Sequence, residues 1–466
     1  MNETVSVALL GWIPLVLVLF ALLSGRRAVL VSFLAAWLFL PVGKFPYLGL
    51  HDKMTVTCAG VLLGTLIFGG KRLWSFRPWL ADLPMLVWCL CPFVSSLTNG
   101  LGLYDALSAA YYNSITWGAP YLVGRLYFAD REGLRELAVA IFAGGLIYVP
   151  FCLWEIRMSP QLHRLVYGYQ QHQFAQTFRF GGWRPVVFMQ HGLMVAMWMS
   201  AASLIGIWLW RTGTLRSLWR FPVTWLLPPL LVTAVLCKSV GALVLLAAGW
   251  LTFAIGRRLR TAIPLLCLVA VLPAYMALRI SGVWSGRSLV SLAAQMTNRE
   301  RAASLEFRLK NEDMLVNKAL QRKVFGWARW GRSHVYEELG HPPEDLTITD
   351  GLWVIALGEA GLLGLSAITA VLLLPAILLW RRRPPWQWSH PAVAPAAALA
   401  VLLALSMIDN LFNAMLNPIF TLAAGGLVGG KRGMAKTAAA PIQSGPAQRP
   451  VLASGGAAAS LKSRGL

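Results

Sequence analysis

Charge is scarce in this sequence, and acidic charge scarcest of all: 19 Asp and Glu stand against 41 Lys and Arg among 466 residues, so only 13% of the chain is charged. Hydrophobic residues make up 57%, a share that a water-soluble domain of this length could not hide in one core. The deficit of charge therefore excludes an ordinary soluble protein and calls for lipid as solvent. Cysteine is sparse too. The six (Cys58, Cys89, Cys91, Cys152, Cys237 and Cys267) fall in or at the edge of apolar runs, so none can staple an exterior loop, and no Cys/His spacing suits a metal. There is no internal repeat and no matching pair of broken apolar segments, which argues against a secondary transporter. The net charge of +22 would suggest nucleic acid in a soluble chain. Here Lys and Arg come in short clusters between apolar runs, as membrane-flanking charges do, so the expected partner is the lipid bilayer and not nucleic acid.

What the sequence has in plenty is apolar runs. A membrane helix needs roughly 20 apolar residues, and candidate spans lie near 5–25, 28–43, 54–70, 80–98, 108–128, 134–154, 185–210, 221–237, 239–256, 261–279, 351–380, 391–410 and 416–430. The expected fold is all-α, a polytopic transmembrane bundle of about 12–13 spans. Basic clusters recur after every second span, at Arg26 and Arg27, Lys71 to Arg77, Arg125 to Arg135, Arg211 to Arg220, Arg257 to Arg260 and Arg381 to Arg383. Short loops rich in Lys and Arg stay in the cytoplasm. The chain is accordingly expected to start outside with an uncleaved first span, since Asn2 and Glu3 precede it and Arg26 and Arg27 follow it. It should end in a disordered basic cytoplasmic tail over 431–466, rich in Ala, Gly, Ser and Pro.

That orientation divides the chain into a first bundle over 1–279 with an exterior loop near 155–184, a large exterior loop over 280–350, and the last spans over 351–430. Both loops break the expected pattern. The first carries Arg157, Arg164, Arg179 and Arg184 with no acid after Glu155, although exterior loops are usually poor in base. The second is far longer than any other connection, and long connections are usually functional or disordered. Leu305, Leu309, Val316 and Leu320 fall on one face at period 3.6, which predicts a helix over Asn298 to Lys323, with Arg301, Arg308 and Glu312 beside the stripe.

Three stretches could carry chemistry. RFGGWRP, Arg179 to Pro185, sets two guanidiniums around a Gly pair and a Trp, which suits a diphosphate because Arg grips phosphate oxygens bidentately and Gly lets backbone approach. Interfacial anchoring is its structural alternative. In Ser304 to Leu320, leading into FGWARWGR, Arg308 and Glu312 could equally form an i, i+4 surface pair. In TITDGLWVIALGEAGLLGL, Thr349 and Asp350 suit either a helix N-cap or a carboxylate at the outer mouth of a span. Glu359 reads as an intramembrane acid, and its small neighbours as helix-packing contacts. Lys238 and Ser239, Asp409, Asn410 and Asn413, and His191, His334 and His341 lie at exterior positions on this topology.

These pieces together resemble the O-antigen ligase and O-antigen polymerase superfamily of bacterial membrane glycosyltransferases. The resemblance rests on Arg184–Pro185 entering a middle span, the step KSVGA (Lys238 to Ala242), and an exterior-loop helix bearing Arg308. A Gly-aromatic stretch follows, and then a polar pair opening a span that contains Glu-Ala-Gly-Leu-Leu-Gly. It implies a multi-pass protein of the bacterial inner membrane that builds lipopolysaccharide or exopolysaccharide. The donor would be a glycan on a polyprenyl diphosphate, the acceptor a saccharide or lipid-linked glycan, with no metal, cofactor or nucleotide sugar and with inversion at the sugar. On that footing Arg179, Arg184, Arg301, Arg308 and Lys238 are the candidates to bind the diphosphate. Asp350, Arg184 and Arg308 are the candidate catalytic groups, with His191, His334, His341 and Glu312 as further candidates. One position departs from the ligases: their His, about nine residues before the Glu of the E-x-G step, is Asp350 here. Ligase, polymerase and transfer to another acceptor therefore stay open, and a polyprenyl-glycan flippase or other transporter is the alternative from a different class.

Overall fold

The computed structural model describes residues 3–43, 52–296, 299–337 and 345–429, except the side chains of 293, 296 and 299–301. His341 and the expected tail over 431–466 lie outside the described residues, as does the side chain of Arg301. The chain is mostly helical. In order run α1 (Glu3–Leu22), α2 (Gly25–Phe39), α3 (Lys53–Trp74), α4 (Leu83–Thr98), α5 (Leu103–Asn113), α6 (Ala119–Tyr127), α7 (Arg131–Met158), α8 (Leu162–Tyr167) and α9 (Gly192–Arg211). There follow α10 (Val223–Leu236), α11 (Val240–Leu259), α12 (Ile263–Ile280), α13 (Arg287–Met296), α14 (Arg299–Ala319), α15 (Leu352–Arg382), α16 (Ala394–Asp409) and α17 (Pro418–Gly429). Strand appears, among the described residues, as two short hairpins, Phe178–Arg179 with Gly182–Trp183 and Ser217–Leu218 with Phe221–Pro222, besides one isolated bridge.

Every apolar run read as a span contains a helix among the described residues, although the run at 185–210 becomes helical only from Gly192. Among the described residues eight helices are long and apolar enough to cross a membrane: α1, α3, Leu80–Thr98 (which contains α4), α7, α9, α11, α12 and α15. Three more, α10, α16 and α17, are apolar but shorter. The run at 108–128 divides into α5, a π-helical turn at Ser114–Gly118 and α6. These helices suggest a membrane protein, and burial supports the suggestion. Residues Ala394 to Met407 of α16 are buried on every side, as in the heart of a bundle. Peripheral helices instead turn large apolar side chains outward, such as Val7, Leu66, Ile67, Leu86, Val232 and Val244. Such a belt would be an aggregation liability in water and matches hydrocarbon in a bilayer.

The two ends of the bundle differ. At one end Arg26 pairs with Asp130, Arg125 with Asp82 at 2.8 Å, Arg72 donates to the Leu126 carbonyl at 3.3 Å, and Arg382 lies over the Trp79 ring. The basic loops after α1, α3, α6 and α15 thus meet one another. Connections of the opposite parity meet at the other end, where α14 lies against α15.

α15 is broken at Gly361 (φ 65, ψ −165), and the break receives the stretch after α14. The Trp327 and Ala328 amides donate to the carbonyls of Gly358 and Glu359 at 2.8 and 3.1 Å, and the Leu362 amide donates back to Lys323 at 2.8 Å. A Cβ at 361 would stand 2.3 Å from the Val324 carbonyl oxygen, and one at 326 would stand 2.6 Å from that of Gly358. The E-A-G step and the F-G-W-A stretch are two halves of one backbone joint.

Candidate functional site

A cavity of about 820 Å³ opens among the segments before α9, between α10 and α11, on α14, before α15 and after α16. Its walls include Arg179, Arg184, Lys238 and Arg308, with the carboxylates of Asp350 and Asp409. Four basic side chains against two carboxylates leave it an excess of positive charge.

Local sequence explains how each cation is held. Phe180 and Gly181 take positive φ (50° and 66°) between the paired strands, the left-handed pair that a two-residue hairpin turn needs. Arg179 is thereby carried to the exposed rim. The segment after Trp183 is pinned from below by Glu155, a buried carboxylate that accepts from the amides of Leu162, Val186 and Val187 at 3.0, 2.8 and 2.7 Å. Pro185 has no amide to offer a helix, and with the next two amides captured, α9 begins at Gly192 and not near 185. The resulting irregular stretch 185–191 carries Gln190 and His191 into the cavity wall.

Arg184, 2% exposed, sends Nη2 to the Lys238 carbonyl at 2.8 Å. Its stem passes Gly192 so closely that a Cβ there would stand 2.3 Å from Cδ. Lys238, in the left-handed region at φ 53°, returns Nζ to the Phe180 carbonyl at 3.3 Å. The hairpin and the start of α11 are therefore tied through both basic residues.

Arg308 comes from α14, where of the predicted stripe Leu309 and Val316 are buried and Leu305 and Leu320 half-buried, with Ala302, Leu315 and Ala319 buried beside them. Its Nη1 donates to the Phe412 carbonyl at 3.0 Å, and its Nε faces Asp350 Oδ2 at 3.3 Å. The surface pair with Glu312 does not form. Glu312 turns instead to Arg279 at 3.2 Å and accepts from the Tyr275 hydroxyl at 2.7 Å, in a cluster where Arg279 also meets Asp313 at 2.9 Å and the Leu309 carbonyl at 2.8 Å. Burial pushes the Glu312 carboxyl up, against the hydrogen bonds and charge of Tyr275 and Arg279. Asp350 is not an N-cap, because Gly351 occupies that position and makes no side-chain cap. Its carboxylate is left to Arg308.

The histidines divide. His191 lines the cavity, but its Nδ1 accepts from the Leu193 amide at 3.0 Å and caps α9. Burial, aided by His172 and by Arg184, Arg179 and Arg308, pushes its pKa down to about 3. The ring is neutral at pH 7 with Nε2 protonated, so it offers the cavity a donor and not a base. His334 does not line the cavity. It pairs with Asp345, which also accepts from the Thr347 amide and hydroxyl, both at 3.0 Å. Against its own desolvation, those bonds hold the Asp345 carboxyl below its usual range. Glu359 is likewise apart, with Arg329 at 4.0 Å.

The cavity thus gathers Arg179, Arg184, Lys238, Arg308, Asp350 and His191 from the sequence-derived candidates, and leaves out Glu312 and His334. Asp409 and Asn413, weak signals in the sequence, join it, as do His172, Gln176 and Ser304, which gave none. Among the described residues no three His, Cys, Asp or Glu side chains gather where a metal ion could be held. No protein-family model matches the chain, and no curated protein matches it. The class defined by fold and composition is a mostly helical protein in which, among the described residues, eight helices are long and apolar enough to cross a membrane, with a basic cavity at one end.

Proposed function

We propose that the protein transfers a glycan from a polyprenyl diphosphate carrier to a saccharide or other acceptor at the extracytoplasmic face of a bacterial inner membrane, as O-antigen ligases and polymerases do. The observation that carries this reading is the convergence of Arg179, Arg184, Lys238 and Arg308, from three separate chain segments, on one cavity beside Asp350. On this reading the candidate spans, about 12–13 in number, all belong to the membrane bundle. The ion-paired basic end faces the cytoplasm with the C-terminus, and the N-terminus lies outside with the cavity and the loop over 280–350.

In such a transfer the bond between the donor sugar's anomeric carbon and the diphosphate oxygen breaks, and its electron pair leaves with the diphosphate. The acceptor oxygen forms the new bond and gives up its proton. Fixed cations stabilise an anion most where charge develops in a partly dry site, which is the task assigned to Arg184 and Arg308, with Arg179 and Lys238 holding the diphosphate. Asp350 has a double role. It holds Arg308 at rest, and when the guanidinium turns to the diphosphate it is released to take the acceptor proton.

The test is incubation of the purified protein with a polyprenyl diphosphate glycan and candidate acceptors. Release of the lipid diphosphate with a lengthened acceptor supports an enzyme. Movement of the intact donor across proteoliposomes without bond cleavage would instead identify a flippase.

A further inference from the structure

The end of the bundle away from the basic cavity holds a second concentration of cation. The connection from α3 to α4, the close of α6 and the close of α15 meet there. Arg125 Nη2 donates to the Arg77 carbonyl at 3.3 Å, the Arg125 guanidinium lies 5.4 Å from the centre of the Phe76 ring, and that of Arg382 lies 5.2 Å from the centre of Trp79. Arg72 reaches the same corner through the Leu126 carbonyl at 3.3 Å. Segments remote in sequence thus bring Arg72, Arg77, Arg125 and Arg382 together, with Lys71 and Arg381 next to them in the chain.

Acid is nearly missing from this corner. The connection over 71–83 contains one carboxylate, Asp82, and Arg125 takes it with Nε and Nη2 at 2.8 and 3.0 Å. Asp130, the next acid along α6 and α7, is taken by Arg26. Among the described residues no carboxylate lies within ion-pair distance of Arg72, Arg77 or Arg382. Arg77 is exposed and Arg382 half-buried, and a guanidinium over a ring still has its N–H edge to offer an oxygen. The corner also carries an apolar rim: Trp74 and Leu80 are 92% and 84% exposed, and Leu83 and Trp380 are exposed beside them. Indole and aliphatic side chains next to guanidiniums are the pairing found at headgroup depth. Like charges gathered in this way repel one another, and a phosphate, which Arg grips bidentately, relieves the repulsion.

We propose that this corner binds the headgroup of an anionic phospholipid of the surrounding bilayer, with Arg77 and Arg382 on its phosphate and Trp74, Leu80 and Leu83 against its acyl chains. The inference rests on the apolar helices lying in a bilayer and is independent of the function proposed above.

Native mass spectrometry of the full-length protein released from detergent micelles counts bound lipid, with phosphatidylglycerol and phosphatidylcholine as the anionic and zwitterionic probes. At least one phosphatidylglycerol should stay bound where phosphatidylcholine does not. Arg77→Gln with Arg382→Gln should weaken that binding by about tenfold, whereas Arg257→Gln with Arg258→Gln, a basic pair in the last turn of α11, should leave it unchanged. Should the first pair fail to fold, Arg72→Gln with Arg77→Gln, both on exposed residues, decides by the same margin. Equal binding of the two lipids, no loss in the corner variants, or an equal loss in the α11 pair overturns the proposal. Inorganic phosphate is the soluble control: if it displaces phosphatidylglycerol at equal concentration, the corner is a site for a free anion and the lipid assignment falls.

Discussion

Arg308 and Asp350 face each other at 3.3 Å, Nε to Oδ2, across the junction between α14 and the start of α15. The same guanidinium donates to the Phe412 carbonyl beyond α16, so one side chain joins three segments at the cavity wall. On the proposed function a diphosphate entering here would compete with Asp350 for Arg308, and that exchange would link donor binding to release of the proposed base.

Asp350→Asn keeps the shape and removes the proton acceptor. Transfer should fall by about 10²–10⁴, while affinity for polyprenyl diphosphate stays the same or rises, because Arg308 no longer has a competing anion. Steady-state rates and lipid binding measured on the same preparation separate the two effects, and unimpaired transfer would remove Asp350 from the mechanism.

Arg279 lies outside the cavity, with its side chain 1% exposed, and secures α14 through Glu312, Asp313 and the Leu309 carbonyl. Breaking a buried pair strands its partner, so Arg279→Leu should cost about 3–5 kcal/mol, and the double variant Arg279→Met with Glu312→Leu should be milder. Thermal unfolding in detergent reads the difference. A single variant as stable as the wild type would show that α14 is held by other contacts.

The neutral His191 predicts acid sensitivity. The unfolded chain takes up a proton near the imidazole's ordinary pKa of 6.5, whereas the folded state resists until about 3. This contribution is complete above 6.5 and is lost as pH falls toward 3. His191→Asn preserves an N-cap side chain without a titrating ring, so its melting temperature should drop less than that of the wild type between pH 7.5 and 5. Equal drops would contradict the assignment.

Gly361→Ala forces a side chain into a conformation that costs about 1–3 kcal/mol for a non-glycine residue, and also against the Val324 carbonyl. We expect a lower melting temperature and faster proteolysis near 323–330. Gly70→Ala in α3, where a Cβ meets nothing within 4 Å, should be close to neutral in the same assay.

The helices were legible because apolar runs of this length are too long for buried strands and read as helix. Arg184 drew notice because the loop near 155–184 carries base with no acid after Glu155, and Arg308 because a period-3.6 stripe predicted a helix in the long connection over 280–350. Partner choice was not legible. Glu312 lies four residues from Arg308 yet belongs to Arg279, and His334 belongs to Asp345, since each pairing depends on how distant segments pack. The start of α9 was misplaced by several residues because Glu155, some thirty positions upstream, captures the amides that would have begun it. The role of Gly361 also emerged only with its partner segment: read alone the step suggests helix packing, and in place it is a docking point for the Val324 backbone.

The most direct test of the account is the single-turnover rate at which a labelled polyprenyl diphosphate glycan, with acceptor in excess, yields free lipid diphosphate. Wild-type protein should release it. Arg184→Ala and Arg308→Ala, folded and accumulating normally, should each be slower by on the order of a hundredfold, the loss of about 3 kcal/mol of stabilisation for the departing anion. Release within a few-fold of wild type in both variants would contradict it.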